Sequence, residues 1–377
     1  RSAIYLPRDG GGATSELVEL LEEPPLSTSI QILLDANVTI QPQMLRKKGS
    51  QILAQFTDEE VQDAINIITS TDAPNIVPPA NEDPSITFRR PEFEALRQRR
   101  NDPELLIRAA DLSNYDPEIA QYFSRLTLVD KLKETRVFTG FTRVVSDTSR
   151  GSDIQYDMLW RSRPLSESWL PAYVVHGEGI YLELNEQRLR DWESRPEVIN
   201  RVQLLRKSYE VVRNKRGLRQ PLPSPRYILL HTLSHLLMLR LTFECGYGTA
   251  SLAERLFVST DPSQPMAGIL IYTAAGDSEG TMGGLVRMGA SKNLEPVIRR
   301  ALESATWCSA DPICMEIATA GGQGPDSLNL AACHGCSLVP ETSCEQFNRF
   351  LDRGLVIGVP DGNPTLGFFS DLVLSVD

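Results

Sequence analysis

The spacing of apolar residues changes along the chain between a helical and a strand-like period, so the sequence predicts a mixed fold. Apolar positions three and four residues apart predict helices over residues 126–137 and 294–307. Residues 227–241 are apolar on almost every face, which is typical of a helix buried on all sides. Short apolar runs predict two strands within residues 173–184 and one over 269–272. The expected fold class is α+β.

Three of the stretches that match the pattern Ser/Thr-x-x-Glu predict where further helices begin. They lie at residues 57–60, 251–254 and 342–345. In such a capping box, the first side chain binds the backbone N–H of the fourth residue, and the glutamate binds back to the first. We therefore expect a helix after each pattern. The last of them would end at Gly354 and would hold Cys344 in its first turn.

Proline-rich stretches divide the chain into three expected segments. The sequence QPLPSP ends the second segment. A looser group predicts an extended linker within the first segment: Pro74, Pro78, Pro79, Pro84 and Pro91. The division is an N-terminal mixed α/β region with this linker (1–155), a strand pair with a basic helical segment (156–225), and a cysteine-rich domain (226–377).

The composition of the chain indicates where in the cell the protein is found more than which fold it adopts. The 377 residues are 41% hydrophobic and 23% charged, which is ordinary for a globular protein. No run of 18 apolar residues predicts a transmembrane helix. The first residues, RSAIYLPRDGGG, lack the apolar core of a secretory signal. We expect a cytoplasmic protein that makes no contact with a membrane.

Charge is unevenly distributed. The net charge of −11 argues against a surface that binds nucleic acid everywhere, yet residues 188–219 hold ten Lys or Arg against four acids. From charge alone, a solvated helix face is the favoured explanation of such a segment. Six of its residues are the candidates for binding nucleic acid: Arg206, Lys207, Arg213, Lys215, Arg216 and Arg219.

Five of the six cysteines crowd near the C-terminal end and predict a metal site rather than a set of disulfides. They are Cys308, Cys314, Cys333, Cys336 and Cys344. A Cys-x2-Cys pair brings two sulfurs to one ion, and a distant pair completes the tetrahedron of a structural Zn²⁺ with no open position. Buried free thiols are the alternative. The spacing leaves open which of the five is spare.

Two further patterns favour less specific interpretations. His231 and His235 share a helix face, which suits a metal, but Thr232 stands where the metalloprotease signature has glutamate, so core histidines are favoured. Ser278 lies in GDSEG, which fits the nucleophile elbow G-x-S-x-G. A catalytic triad in hydrolase order also needs a histidine downstream of the serine. The only one is His334, within the cysteine cluster. A serine hydrolase is therefore the alternative function and not the expected one.

Residues 226–358 resemble the C-terminal half of the DrmB family, whose members are subunits of the bacterial DISARM anti-phage system. The stretches that carry the resemblance are LHTLSHLLM, ECGYGTASLAERLF, GILIYTAAGDSEGTMGGLV, WCSADPIC and AACHGCSLVPETSCEQFNRFLDR. The same region is similar to the zinc-binding domain of superfamily-2 DNA helicases such as MrfA. The similarity to MrfA implies a four-cysteine zinc, and the resemblance to the DrmB family implies a separate, DrmA-like helicase subunit as partner.

The function expected from these observations is that of a non-catalytic accessory subunit. No Walker motif is present, because Ala290 stands where a phosphate loop has its lysine, and this agrees with ATP hydrolysis in the partner. The basic segment would help to bind phage DNA. A scaffold that never contacts DNA is a further alternative.

Overall fold

The structure is a computed structural model, and the residues that it describes form two compact units, residues 1–5 with 83–377 and residues 6–82. The described residues are 2–6, 17–36 without 19, 38–49, 53–54, 56–69, 84–140, 170–216, 221–273 and 283–374. The predicted boundaries after residues 155 and 225 both lie within the range of the larger unit. The three-part division stays a prediction.

The smaller unit is helical. Its helices are α1 (Leu26–Asp35), α2 (Pro42–Gly49) and α3 (Asp58–Thr69). Their buried apolar faces meet in one core with Leu17, Leu26, Leu45 and Val61 at its centre. The capping box at the start of α3 is confirmed, because Thr57 N donates to Glu60 Oε2 at 2.7 Å and Glu60 N donates to Thr57 Oγ1 at 3.3 Å.

The larger unit contains a seven-stranded sheet in which every strand pair is antiparallel. The strands are β1 (Ser2–Ile4), β2 (Arg100–Asp102), β3 (Leu105–Ala110), β4 (Phe123–Val137), β5 (Ala172–Leu184), β6 (Leu252–Ser259) and β7 (Met266–Thr273). Their order is β2-β3-β4-β5-β7-β6, with β1 paired to β4. Together with the helices, this sheet confirms the predicted α+β class.

Two predictions for the centre of this sheet were wrong. Residues 126–137 belong to β4 instead of a helix: both faces of the strand are buried at its middle, so its apolar residues imitate a helical spacing. β5 is one strand of 13 residues instead of two. A Cβ at Gly177 would lie 2.4 Å from the carbonyl oxygen of Thr273, so this glycine allows the close approach of β7 and is not a turn.

The helices of the larger unit pack against the sheet and one another. They are α4 (Pro84–Leu96), α5 (Pro117–Ala120), α6 (Glu186–Glu193), α7 (Pro196–Arg216), α8 (Pro225–Cys245), α9 (Gly284–Met288), α10 (Leu294–Ala305), α11 (Ile313–Glu316), α12 (Gly354–Ile357) and α13 (Ser370–Leu374). Pro84 and Pro91 lie in α4, which corrects this part of the predicted linker; residues 70–83 lie outside the described residues.

Helix α8 is the central helix of the core, as its sequence predicts. Ser224 caps its start by accepting a hydrogen bond from Tyr227 N, and Gly246, at φ +70°, ends it. Among the described residues, this is the one helix long and apolar enough to span a membrane. However, 67% of its apolar 18-residue stretch is buried inside the protein. Its apolar surface is therefore explained by packing within the fold.

The other two predicted capping boxes do not begin helices. Residues 252–259 form β6, which pairs residue for residue with β7, and both faces of this strand are buried. Residues 341–353 form irregular turns. Glu345 uses its carboxylate to accept a hydrogen bond from Leu256 N at 3.0 Å and to bind Arg89, so it does not cap its own segment.

Candidate metal centre

Four cysteines converge after α10, where the chain folds back without strands. Cys308 follows α10, Cys314 lies on α11, and Cys333 and Cys336 bracket a tight turn. Their four sulfurs lie within 4.8 Å of one another. Cys333 O accepts the N–H of Cys336 at 3.1 Å, which closes the turn and places both sulfurs on one side.

The distances within this four-cysteine cluster match those around a tetrahedral zinc ion. The sulfur–sulfur distances are 3.4 Å for Cys308–Cys333, 3.9 Å for Cys314–Cys336 and 3.8 Å for Cys333–Cys336. A regular tetrahedron with Zn–S bonds of about 2.3 Å has edges of about 3.8 Å. The cluster fits a structural zinc, and its four sulfurs leave no open coordination position.

Neighbouring groups donate hydrogen bonds to the sulfurs. Ala310 N donates to Cys308 Sγ at 3.4 Å, and the Gln323 side chain donates to Cys314 Sγ at 3.3 Å. The hydrogen bond between Cys314 and Cys336 lowers the pKa of Cys336 to about 5 and, together with burial, raises the pKa of Cys314. The cluster thus already favours negative charge on one sulfur.

A buried arginine holds the segment that supplies these ligands. Arg353 is fully buried; its Nη1 donates to Ala305 O at 2.7 Å, and its Nη2 binds the carboxylate of Asp311. Asp311 in turn accepts the N–H of Cys308 at 2.8 Å. The guanidinium also offsets the negative charge of four thiolates around a dication.

Cys344, the fifth predicted ligand, lies apart from this cluster. Its sulfur is grouped instead with His231, His235 and Glu254, whose ligand atoms also lie within 4.8 Å of one another. His334, which lies between Cys333 and Cys336 in the sequence, is exposed and is in neither group. The structure therefore brings together four of the five predicted cysteines, and Cys344 is the spare one.

The candidate residues for nucleic-acid binding lie in different surroundings. Arg206 Nε donates to Pro223 O at 2.8 Å, and Arg216 forms an ion pair with Asp326. Three others make no ion pair with any described residue: Lys207 and Lys215, which are exposed, and Arg213, which is half-buried. The last candidate, Arg219, lies outside the described residues. The assignment of these six to DNA stays a prediction.

Ser278 and the rest of the GDSEG turn lie outside the described residues, so the hydrolase alternative stays untested. The residues that follow this turn are anchored to β5. The backbone N–H groups of Gly283 and Leu285 donate to the carboxylate of Glu178 at 2.6 and 2.9 Å. Gly283 adopts a φ of +116°, a conformation that favours glycine.

Known proteins resemble this chain in the region of the cluster. A family model described as the MrfA Zn-binding domain matches residues 233–337, a range that includes all four clustered cysteines. The DISARM protein DrmB of Bacillus paralicheniformis is 36% identical over 256 residues, which are 67% of this chain and 44% of that relative. The match thus spans less than half of the relative's length. The resemblance to the DrmB family and to the MrfA-type zinc-binding domain is confirmed.

Proposed function

We propose that this chain, a DrmB-like protein with an MrfA-type zinc-binding domain, is a non-catalytic subunit of a bacterial DISARM system that acts against phage in the cytoplasm. The observation that supports this most directly is the four-cysteine cluster, whose sulfurs have tetrahedral spacing inside the matched domain. On this proposal, ATP hydrolysis belongs to a separate superfamily-2 helicase subunit resembling DrmA.

A closed zinc gives the cluster a structural role. Residues 306–353 contain only short helical turns, so few of their backbone groups are paired within regular helices or strands. On this proposal, the segment needs the metal to become ordered. Four Zn–S bonds would connect α10, α11 and the Cys333–Cys336 turn. The ordered surface that results is suited to hold a protein partner.

The contact with DNA is proposed for basic residues in the second half of α7. Lys207, Arg213 and Lys215 carry positive charge that no described acidic side chain neutralises, in a chain whose net charge is −11. Such residues contact phosphates without reading the sequence of bases. The helicase would supply the remaining contacts to DNA.

The test is to co-express the chain with the helicase subunit of the same system, purify the complex, and measure DNA affinity as a function of salt. Charge reversal of Lys207, Arg213 and Lys215 to Glu should reduce the slope of log affinity against log salt by about three, because each phosphate contact contributes about 0.9. The control carries the same charge change elsewhere: Arg287→Glu, Lys292→Glu and Arg300→Glu.

The outcomes separate the proposals. Equal slopes for the two triple variants would remove α7 from the DNA path and favour a pure scaffold. A zinc-loaded chain that fails to co-purify with the helicase subunit would contradict the proposed assembly.

A further inference from the structure

A second group of metal-ligating side chains is buried near the four-cysteine cluster. His231 and His235 project from α8, Glu254 from β6, and Cys344 from the turns that follow the cluster. The two histidines have no exposed surface, while Glu254 is 2% exposed and Cys344 is 7% exposed. We refer to these four residues as the histidine cluster.

The imidazole of His235 directs a lone pair into this cluster. Its Nδ1 lies 2.8 Å from the carbonyl oxygen of Ser337, and because a carbonyl only accepts, Nδ1 carries the proton. In the neutral ring, Nε2 is then an acceptor, yet it has no hydrogen-bond partner and lies 3.6 Å from Glu254 Oε1. A buried lone pair facing a carboxylate is unfavourable unless a cation lies between them.

A protonated His235 does not remove this difficulty. Nε2 lies 3.6 Å from the carboxylate oxygen, which is beyond the usual range of an N–H···O hydrogen bond. A proton on Nε2 would therefore not form a good hydrogen bond with Glu254. The pairing of Nδ1–H with a backbone carbonyl and a free Nε2 is instead the usual arrangement of a histidine that binds a metal.

The other distances in the histidine cluster are a few tenths of an ångström shorter than those around one tetrahedral ion, which a small outward shift of the ligands would accommodate. His231 Nε2 lies 3.1 Å from Cys344 Sγ and 3.1 Å from Glu254 Oε1. Around a tetrahedral Zn²⁺ with bonds of about 2.0–2.3 Å, neighbouring ligand atoms are about 3.3–3.6 Å apart. A single Nε2 proton could serve only one of these two acceptors well, whereas a cation serves both.

The ligand atoms with negative charge are held by donors of their own. Cys344 Sγ accepts N–H groups from Gln346 at 3.3 Å and Asn348 at 3.2 Å. Glu254 Oε1 accepts the N–H of Glu345 at 3.1 Å, and its Oε2 binds the hydroxyl of Ser234. Such outer contacts orient metal ligands.

We propose that the histidine cluster binds a second divalent ion of the zinc type, separate from the ion of the four-cysteine cluster. One thiolate, one carboxylate and two neutral imidazoles balance the charge of a dication, so the site can be buried without net charge. Mixed nitrogen, oxygen and sulfur ligands suit zinc. His231 and Cys344 lie outside residues 233–337, so the matched zinc-binding family model does not include the complete set. The ion would join α8, β6 and the turn around Cys344.

The first test is the metal content of the full chain as purified without chelators. We expect two zinc ions per chain, one for each cluster, and an X-ray absorption spectrum that shows nitrogen or oxygen neighbours besides sulfur. One ion per chain with a shell of sulfur alone would overturn the proposal. This measurement needs no variant, so it decides even if substitutions prevent folding.

Variants then assign the second ion. His235→Ala and Cys344→Ser should each lower the content from two ions to one, and the absorption of the remaining ion should become that of a pure sulfur shell. Cys314→Ser should also leave one ion, but with mixed neighbours. Cys245→Ser is the matched control, since this thiol is in neither cluster, and it should retain two ions. Retention of two ions by both His235→Ala and Cys344→Ser would contradict the assignment.

Discussion

The carbonyl oxygen of Ser337 lies 2.8 Å from Nδ1 of His235. The hydroxyl of the same serine lies 3.4 Å from the sulfur of Cys336, and Ser337 is fully buried. One residue therefore contacts both the four-cysteine cluster and the histidine cluster. Because Ser337 directly follows Cys336, a change in the metal-binding turn would move the group that orients the His235 ring.

Ser337→Ala should weaken zinc binding at the four-cysteine cluster. The substitution removes the hydroxyl that donates to Cys336 Sγ and keeps the carbonyl that binds His235. Loss of such an outer contact typically lowers metal affinity by about tenfold or more. Competition with a chromogenic chelator measures this affinity.

The control for this substitution is Ser259→Ala. Ser259 is also buried, and its hydroxyl accepts the N–H of Asp261 without contact to either cluster. We expect its zinc affinity to match that of the unaltered chain. If Ser337→Ala binds zinc as tightly as Ser259→Ala, the hydroxyl does not stabilise the thiolate.

The sequence predicted the chemistry of the zinc cluster better than its membership. Cysteine spacing shows that sulfurs are near one another along the chain, and the Cys333-x2-Cys336 pair requires only a local turn. Whether Cys314 or Cys344 joins this pair depends on how the intervening loops close. That choice is made by contacts such as Arg353 with Asp311, which are 42 residues apart.

The histidine cluster was missed because each member belongs to a different local pattern. His231 and His235 were interpreted as core residues of an apolar helix, while Glu254 and Cys344 fell within two apparent capping boxes. Neither apparent capping box begins a helix, because both segments form long-range contacts instead. Glu254 N donates to Ser343 O at 3.0 Å, which joins β6 to the distant turn. Local periodicity contains no information on such contacts.

The basic segment shows a second limit of local patterns. Its excess of positive charge is visible in the sequence, but the acids that neutralise part of it come from far along the chain. Arg188 pairs with Asp371, Arg201 with Asp352, and Arg216 with Asp326. The helices themselves were predicted, while the amount of unpaired charge on them required the fold.

Removal of the Glu178 carboxylate should destabilise the larger unit. Glu178 is 2% exposed and accepts the backbone N–H groups of Gly283, Leu285 and Val286, so it anchors the start of α9 to β5. Glu178→Ala leaves these donors without their partner, which should lower the free energy of unfolding by about 3 kcal/mol. Urea denaturation measures the loss.

Two comparisons make this prediction specific. Glu178→Gln keeps one acceptor oxygen and should cost about half as much, on the order of 1–2 kcal/mol. Glu303→Gln, at an exposed position of α10, should change stability by less than about 0.5 kcal/mol. Equal stability of Glu178→Ala and Glu303→Gln would show that the anchor contributes nothing.

Arg201 and Arg216 both lie on α7 and each forms an ion pair with a distant aspartate. The pair of Arg201 with Asp352 should stabilise the protein far more than the pair of Arg216 with Asp326. Arg201 binds Asp352 through two hydrogen bonds of 2.6 and 2.8 Å, and the aspartate has no exposed surface. Asp352→Asn leaves a largely buried guanidinium without its counter-charge, which should cost about 3–5 kcal/mol. Arg216 is 54% exposed, so Asp326→Asn should cost at most about 1 kcal/mol. Denaturant midpoints of the two variants test the difference. Similar losses would mean that burial does not decide the strength of these pairs, and that the attachment of α7 to the segment after the zinc ligands depends on its apolar contacts instead.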